Sequence, residues 1–115
     1  MAIAIDWGSS DEHLRVGIDL DIVFISNSSI TVKFKFYADP VPGGWSWNDD
    51  MAMRITGSAG GSTVNFHKNS SQQLVATRTI SASRRPDGGP TWTVGCSING
   101  AVNGASPNAS RSYTV

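Results

Sequence analysis

Two tryptophans beside a run of polar side chains give this sequence its strongest chemical signal. They follow a pair of glycines, and an amide and two carboxylates come directly after them. Indole rings stack on sugars while amides and carboxylates hydrogen-bond sugar hydroxyls, so the pattern is typical of a carbohydrate-binding surface. The indoles could equally bury against a neighbouring subunit or close one end of the protein's own core. The predicted ligand or partner contacts are Trp45, Trp47, Asn48, Asp49 and Asp50.

Two groups of aspartate and asparagine residues could offer oxygen ligands to a metal ion. Asp19 and Asp21 lie two positions apart, and the second group is Asn48–Asp50. Calcium takes six to eight oxygen ligands from a loop of defined spacing. The second group lacks that spacing, and the first is explained by Lys33 and Lys35 across a predicted hairpin. We therefore expect no metal site and no cofactor.

The residues that most often perform catalysis are few and scattered. His13 and His67, the two histidines, are far apart in sequence and lack a metal-binding spacing. Cys96 is the single cysteine, which excludes an intrachain disulfide, and it falls on the inward face of a predicted strand, where a thiol behaves as a small hydrophobe. No Gly-x-Ser-x-Gly motif occurs, and no acidic residue falls in a predicted apolar pocket. We therefore expect a protein that is not an enzyme.

Charge and hydropathy exclude two classes of partner. Nine Lys and Arg balance nine Asp and Glu, giving a formal net charge of zero. Nothing in this balance favours binding to nucleic acid or to an anionic membrane. No segment is apolar for long enough to span a bilayer, and Met1 to Asp6 lacks the basic region and apolar core of a signal peptide. We expect no nucleic acid, no membrane insertion, and folding in the cytoplasm of the producing cell.

The clearest structural pattern is an alternation of apolar and polar residues between Leu14 and Tyr37. Apolar residues take every second position from Leu14 to Phe24, and again from Ile30 to Phe36 after the turn sequence Asn27-Ser28-Ser29. A period of two predicts half-buried strands, here joined as a hairpin. The side chains predicted to face the core are Leu14, Val16, Ile18, Leu20, Ile22, Phe24, Ile30, Val32, Phe34 and Phe36.

Two registers fit this hairpin. A three-residue loop places Phe24 opposite Val32 and Asp21 opposite Lys35, whereas a slip of two residues places Asp21 opposite Lys33. Both keep acid opposite base, so charge does not choose between them. A slip of one residue would turn the apolar face to water and is excluded. In either register we expect the outer face to be solvated and ion-paired.

Shorter strands separated by turn residues complete the pattern. Met1–Trp7 is predicted to be an edge strand that ends before Gly8, or an arm that docks on a neighbouring subunit. Arg78 interrupts the apolar side of its strand, which is expected at a sheet edge. No helical period is present. The remaining predicted strands are Met51–Thr56, Thr63–Phe66, Leu74–Ala82, Thr91–Ile98 and Ser110–Val115.

About seven short strands predict an all-β chain with a single domain over residues 1–115. An antiparallel immunoglobulin-like β-sandwich is the architecture that this spacing favours, and a closed β-barrel is the alternative.

Four stretches carry a family resemblance. They are Leu14-Arg15-Val16, Asn27-Ser28-Ser29-Ile30-Thr31-Val32, Gly60-Gly61-Ser62-Thr63-Val64-Asn65-Phe66, and Pro86-Asp87-Gly88 before Trp92. With these stretches the chain, over residues 7–115, resembles the small immunoglobulin-like β-sandwich modules of tailed-bacteriophage virion proteins. The resemblance is to minor tail and tail-tip proteins of long-tailed phages in particular.

The resemblance implies a virion building block or adhesion element that is not an enzyme. Such a module would lie on the tail or decorate the capsid, in contact with other virion proteins or with further copies of itself. The alternative is an adhesion module that recognises host-surface glycans through Trp45 and Trp47. Modules of this family are usually segments of longer chains, so a free-standing protein and an excised module both fit.

Overall fold

Eight β-strands account for most of the residues whose structure is described. A computed structural model describes residues 5–10, 14–40, 50–58, 60–67, 71–84, 91–98 and 108–114. No helix occurs within those ranges. The strands are β1 (Asp6–Ser10), β2 (Leu14–Ile25), β3 (Ser29–Pro40), β4 (Asp50–Gly57), β5 (Ser62–His67), β6 (Gln73–Ser83), β7 (Thr91–Ile98) and β8 (Asn108–Thr114).

The strands form two antiparallel four-stranded sheets. Their orders are β1-β2-β3-β6 and β5-β4-β7-β8, so the chain changes sheet after β3, after β5 and after β6. In immunoglobulin terms β2, β3 and β6 correspond to strands A, B and E, and β4, β7 and β8 to strands C, F and G. The predicted antiparallel immunoglobulin-like β-sandwich is therefore confirmed, with eight strands instead of about seven.

The core lies between the two sheets and is centred on Phe34 of β3. Its ring contacts Trp92 of β7 edge-on, with centroids 6.2 Å apart and an interplanar angle of 78°, and lies 5.7 Å from the ring of Tyr113 of β8. One residue of the first sheet thus contacts two strands of the second. Other side chains that the alternation placed in the core, and that are buried, are Val16, Ile18, Ile30, Val32, Phe36, Val94, Cys96 and Ile98.

The hairpin adopts the register that is slipped by two residues. Leu20 pairs with Phe34 and Asp21 with Lys33. The turn supplies one residue of this slip: the Ser26 N–H donates to the Ser29 carbonyl at 2.9 Å, and the Ser26 hydroxyl accepts from the Ser29 N–H at 3.1 Å. Four residues therefore separate the paired residues Ile25 and Ile30, one more than expected, and a bulge between Ile22 and Phe24 supplies the second residue of the slip, so charge complementarity on the outer face is kept.

The alternation predicted that the outer face of the first sheet is solvated, but one end of that face is buried. Asp19 and Tyr37 lie on it, yet each is 6% exposed. Residues at the start of the chain cover this end of the sheet. A Cβ atom at Gly17, opposite Tyr37, would lie 2.5 Å from Ile5 Cγ2 and 2.7 Å from Trp7 Cε3. The absence of a side chain at Gly17 lets these two residues lie flat on the sheet.

An edge strand does occur near the start of the chain, but it extends beyond the predicted end. β1 begins at Asp6 and continues to Ser10, so Gly8 lies within it. Gly8 packs against the backbone of Asn108 and Ala109 in the second sheet, where a Cβ atom would overlap the Asn108 carbonyl oxygen. A glycine in a strand interior often marks such a close backbone approach.

Trp7 of β1 contacts residues of both sheets. The guanidinium carbon of Arg15 lies 3.9 Å from the centroid of the indole ring, and Arg15 Nη2 is 2.8 Å from Asp39 Oδ2. From the second sheet, Arg111 Nη2 donates to the Trp7 carbonyl at 2.7 Å. Strand β1 therefore closes the sandwich along the edges of β2 and β8.

Candidate functional site

The residues that the sequence singled out for contact lie almost entirely outside the described ranges. Trp45, Trp47, Asn48 and Asp49 fall in the undescribed stretch 41–49. Asp50 is the first residue of β4 and pairs with His67 of β5. The five-residue contact surface therefore stays a prediction from sequence.

A different surface stands out in the described part of the chain. At the end of the β2–β3 hairpin, Ile22, Val23, Phe24 and Ile25 are 51%, 56%, 55% and 45% exposed. We refer to these four consecutive residues as the hairpin tip. Single exposed apolar residues are common on protein surfaces, whereas four in succession mark an interaction surface.

The alternation placed Ile22 and Phe24 of the hairpin tip in the core, and this prediction is wrong. For Ile22, which still points inward, the reason is the difference in strand length between the two sheets. Strands β2 and β3 have 12 residues each, about 40 Å, whereas β4 and β7 in the facing sheet have eight, about 27 Å. The end of the hairpin therefore has less of the second sheet to pack against.

A β-bulge gives the hairpin tip apolar groups on both faces. The pairing shifts between Ile22, which is opposite Val32, and Phe24, which is opposite Thr31. Residues opposite each other in an antiparallel pair share a face. Ile22 therefore continues the inward face, and Phe24 lies on the outward face with Thr31. Because of the bulge at Val23, a partner can contact this end of the hairpin from either side.

The hairpin tip carries no charged side chain, and its charged neighbours are engaged elsewhere. Asp21 Oδ2 lies 2.5 Å from Lys35 Nζ, and the pKa of Lys35 is raised by its hydrogen bond with Asp21. On the other side of the turn, Arg84 Nη1 donates to the Ser26 carbonyl at 3.3 Å. Covering the tip therefore requires no desolvation of a charge within it.

The sequence did contain a signal for this surface. In a half-buried strand the outward positions are polar, as Arg15, Asp19 and Asp21 are, but a strict alternation continued from these residues would put the apolar Val23 and Ile25 at outward positions too. Four successive apolar residues depart from a period of two. That departure indicates where both faces of the strand are apolar.

The described residues form neither a cluster of metal ligands nor a membrane-spanning helix. Within the described ranges, no three His, Cys, Asp or Glu side chains are close enough together to hold a metal ion. Those ranges also contain no helix long and apolar enough to cross a bilayer.

Cys96 is buried in the core, and burial raises the pKa of its thiol to about 12. Because the thiolate is the reactive form, we expect Cys96 in the native protein to be inert to alkylating and disulfide reagents at pH 8. Unfolding in denaturant returns the pKa to about 8.5 and should allow labelling. Mass spectrometry of protein treated with iodoacetamide checks this. Labelling at equal rates with and without denaturant would contradict the burial of β7.

Comparisons with known proteins do not identify a family for this chain. No family model and no curated protein matches the sequence. Among solved structures, the chain is similar to the GAE domain of GGA2p from Saccharomyces cerevisiae, with 16% identity over 97% of each chain and a TM-score of 0.37. The function must therefore be inferred from the chain's own surface.

Proposed function

We propose that this chain is a non-enzymatic structural protein of a tailed-bacteriophage virion. It is an immunoglobulin-like module displayed on the tail, as a minor tail or tail-tip component, or on the capsid as a decoration, and it acts through protein–protein contacts. The observation that carries the proposal is the hairpin tip, Ile22–Ile25, where four half-exposed apolar side chains follow one another.

The energetics of the hairpin tip favour a covered state. Fully burying a Val, Ile or Phe side chain contributes roughly 1.5–3 kcal/mol, so covering the exposed half of four such residues would contribute roughly 3–6 kcal/mol. That gain is open to any partner with an apolar surface of matching shape. Such an interface has an apolar centre with a polar rim. Asp21, Lys33 and Lys35 lie beside the tip and suit that rim.

The virion setting is what the resemblance of residues 7–115 to phage tail modules implies. The alternative, recognition of host-surface glycans, depends on Trp45 and Trp47. The tryptophans that are described do not offer a free stacking surface: Trp92 is buried, and Arg15 lies over the ring of Trp7. Nothing in the described ranges thus favours the glycan alternative over protein contacts.

The proposal is tested by Phe24→Lys in the phage that encodes the chain, with Leu74→Lys as the matched control. Leu74 is 50% exposed on the first sheet, close to the 55% of Phe24, but its Cα partner in β3 is Tyr37, at the opposite end from the tip. We expect purified wild-type particles to contain the chain and to bind its antibody in electron micrographs. Phe24→Lys should lower its amount per particle by about tenfold or more, a loss of at least about 1.4 kcal/mol.

The control should leave the amount per particle unchanged. Absence of the wild-type chain from purified particles would refute a virion role. Equal incorporation of the two variants would show that the hairpin tip is not the contact surface. Binding of the purified chain to a glycan array, lost in the Trp45→Ala Trp47→Ala double variant, would favour the adhesion alternative instead.

A further inference from the structure

The turn that follows the hairpin tip is bonded to an arginine from outside the hairpin. Arg84 directly follows β6, and its N–H donates to the Ser28 carbonyl at 2.9 Å. Its side chain reaches further, because Nη1 donates to the Ser26 carbonyl at 3.3 Å. Both acceptors belong to the turn between β2 and β3, and Ser26 comes directly after Ile25 of the tip. Arg84 therefore links the end of β6 to the end of β2, past the intervening strand β3.

A second contact from β6 reaches the residue opposite Phe24. Thr31 of β3 is the Cα partner of Phe24, and its hydroxyl lies 2.8 Å from the hydroxyl of Ser81. The register between β3 and β6, in which Ser29 pairs with Ser83, brings this contact and the turn to the same end of the sheet. The end of β6 is thus bonded both to the turn and to the strand that pairs with the tip.

The hairpin tip depends on such support more than the rest of the hairpin does. Its pairing is interrupted by the bulge between Ile22 and Phe24, and a two-stranded hairpin without further contacts is only marginally stable in water. Within the turn, the Ser26 hydroxyl accepts from the Ser29 N–H at 3.1 Å. That neutral bond fixes the shape of the turn but not its position relative to β6. The bond from the Arg84 guanidinium fixes that position, and hydrogen bonds of charged groups are the stronger kind.

Only part of the Arg84 side chain is used in this contact. Nη1 donates to the turn, whereas Nε is buried and has no hydrogen-bond partner among the described residues. A buried donor without an acceptor is unfavourable. The contact therefore depends on the terminal donor and on the reach of the side chain. A lysine, which has a terminal cation and no N–H group within its stem, should keep much of it.

We infer that Arg84 is a positioning residue for the hairpin tip, which it holds in one conformation before a partner binds. This inference rests on the proposed role of the tip in protein contacts and adds the residue that controls it. A surface that is ordered in advance loses less conformational entropy on binding and therefore binds more tightly. Loosening the turn should weaken the contact even though all four apolar side chains of the tip are still present.

Hydrogen–deuterium exchange of the purified full chain, read by mass spectrometry, tests the conformational part of the inference. Arg84→Met keeps an apolar stem but removes the side-chain donors, and it should raise amide exchange over residues 22–30 by about tenfold while β7 is unchanged. Arg84→Lys should restore most of the protection. Arg78→Met is the matched control, because it removes the same charge from β6 at a side chain that donates to Ser62 Oγ and not to the turn. It should leave exchange over residues 22–30 unchanged.

The amount of chain per purified particle tests the functional part. Arg84→Met should lower this amount by about threefold to tenfold, Arg84→Lys should largely restore it, and Arg78→Met should match wild type.

Four results would overturn the inference. Unchanged exchange over residues 22–30 in Arg84→Met would show that the arginine does not hold the tip. An equal rise in every strand would show a general loss of stability instead. Normal incorporation of Arg84→Met, while Phe24→Lys still fails to enter particles, would refute the positioning role and leave the proposed function standing. Normal incorporation of both variants would refute the positioning role together with the tip as contact surface.

Discussion

Phe34→Ala should destabilise the domain by about 3–5 kcal/mol, the range for removing a buried aromatic ring. Phe34 is fully buried at the centre of β3, and its ring contacts Trp92 and Tyr113 in the facing sheet. Its removal leaves a cavity between the sheets in addition to the lost transfer free energy. Urea denaturation followed by tryptophan fluorescence measures the change.

Lys35→Ala is the matched control, one residue further along the same strand. Lys35 points outward and pairs with Asp21, whose carboxylate side chain is 49% exposed. A solvent-exposed ion pair contributes little to stability, so this variant should leave the free energy of unfolding nearly unchanged. Similar losses for the two variants would mean that the inward and outward faces of β3 are wrongly assigned.

The inward and outward faces of the hairpin could be predicted from sequence because burial on one side imposes a period of two. That rule correctly buried Val16 and Ile18 of β2. It failed at Ile22, since it does not say whether the opposite sheet reaches that far, and at Phe24, which the bulge turns to the outward face. The length of the facing strands is a tertiary property, and no local pattern in β2 contains it.

The register shows a second limit of the same kind. Asp21 can lie opposite Lys33 or Lys35, and the two pairings are equivalent in charge. The choice between the two registers was therefore made by other features of the hairpin. The hydrogen bonds of Ser26 to Ser29 made the turn one residue longer, and the bulge between Ile22 and Phe24 added the second residue of the slip. Serine forms such hydrogen bonds in turns, but the position of Ser26 in the sequence does not determine how many residues the turn contains.

The buried outer face could not be found from alternation because a distant segment covers it. Asp19 and Tyr37 occupy outward positions and would be exposed in an isolated hairpin. The residues that cover that end of the sheet come from the start of the chain, and they fit because position 17 is glycine. The strongest sequence signal for function was the tryptophan pair, Trp45 and Trp47. The exposed apolar surface of the described fold lies elsewhere, at the hairpin tip.

The double variant Trp45→Ala Trp47→Ala should leave the monomer folded and weaken particle assembly by about 10²–10³-fold. Prolines and glycines precede these indoles, so the sequence places them in a loop, and a purely solvated loop has no reason to carry two large aromatic groups. Aromatic anchors at protein interfaces commonly contribute about 2 kcal/mol or more each. Incorporation into particles and the melting temperature of the purified chain are the two measurements.

The two measurements separate three roles for the tryptophans. A fall of several degrees in melting temperature would show that the indoles belong to the domain's own core, since about 1 kcal/mol shifts a domain of this size by roughly 4–8 °C. Normal stability and assembly with lost adsorption to host cells would show that they bind glycans. A double variant that matches wild type in stability, assembly and adsorption would remove Trp45 and Trp47 from the functional surface and leave the hairpin tip as its main candidate.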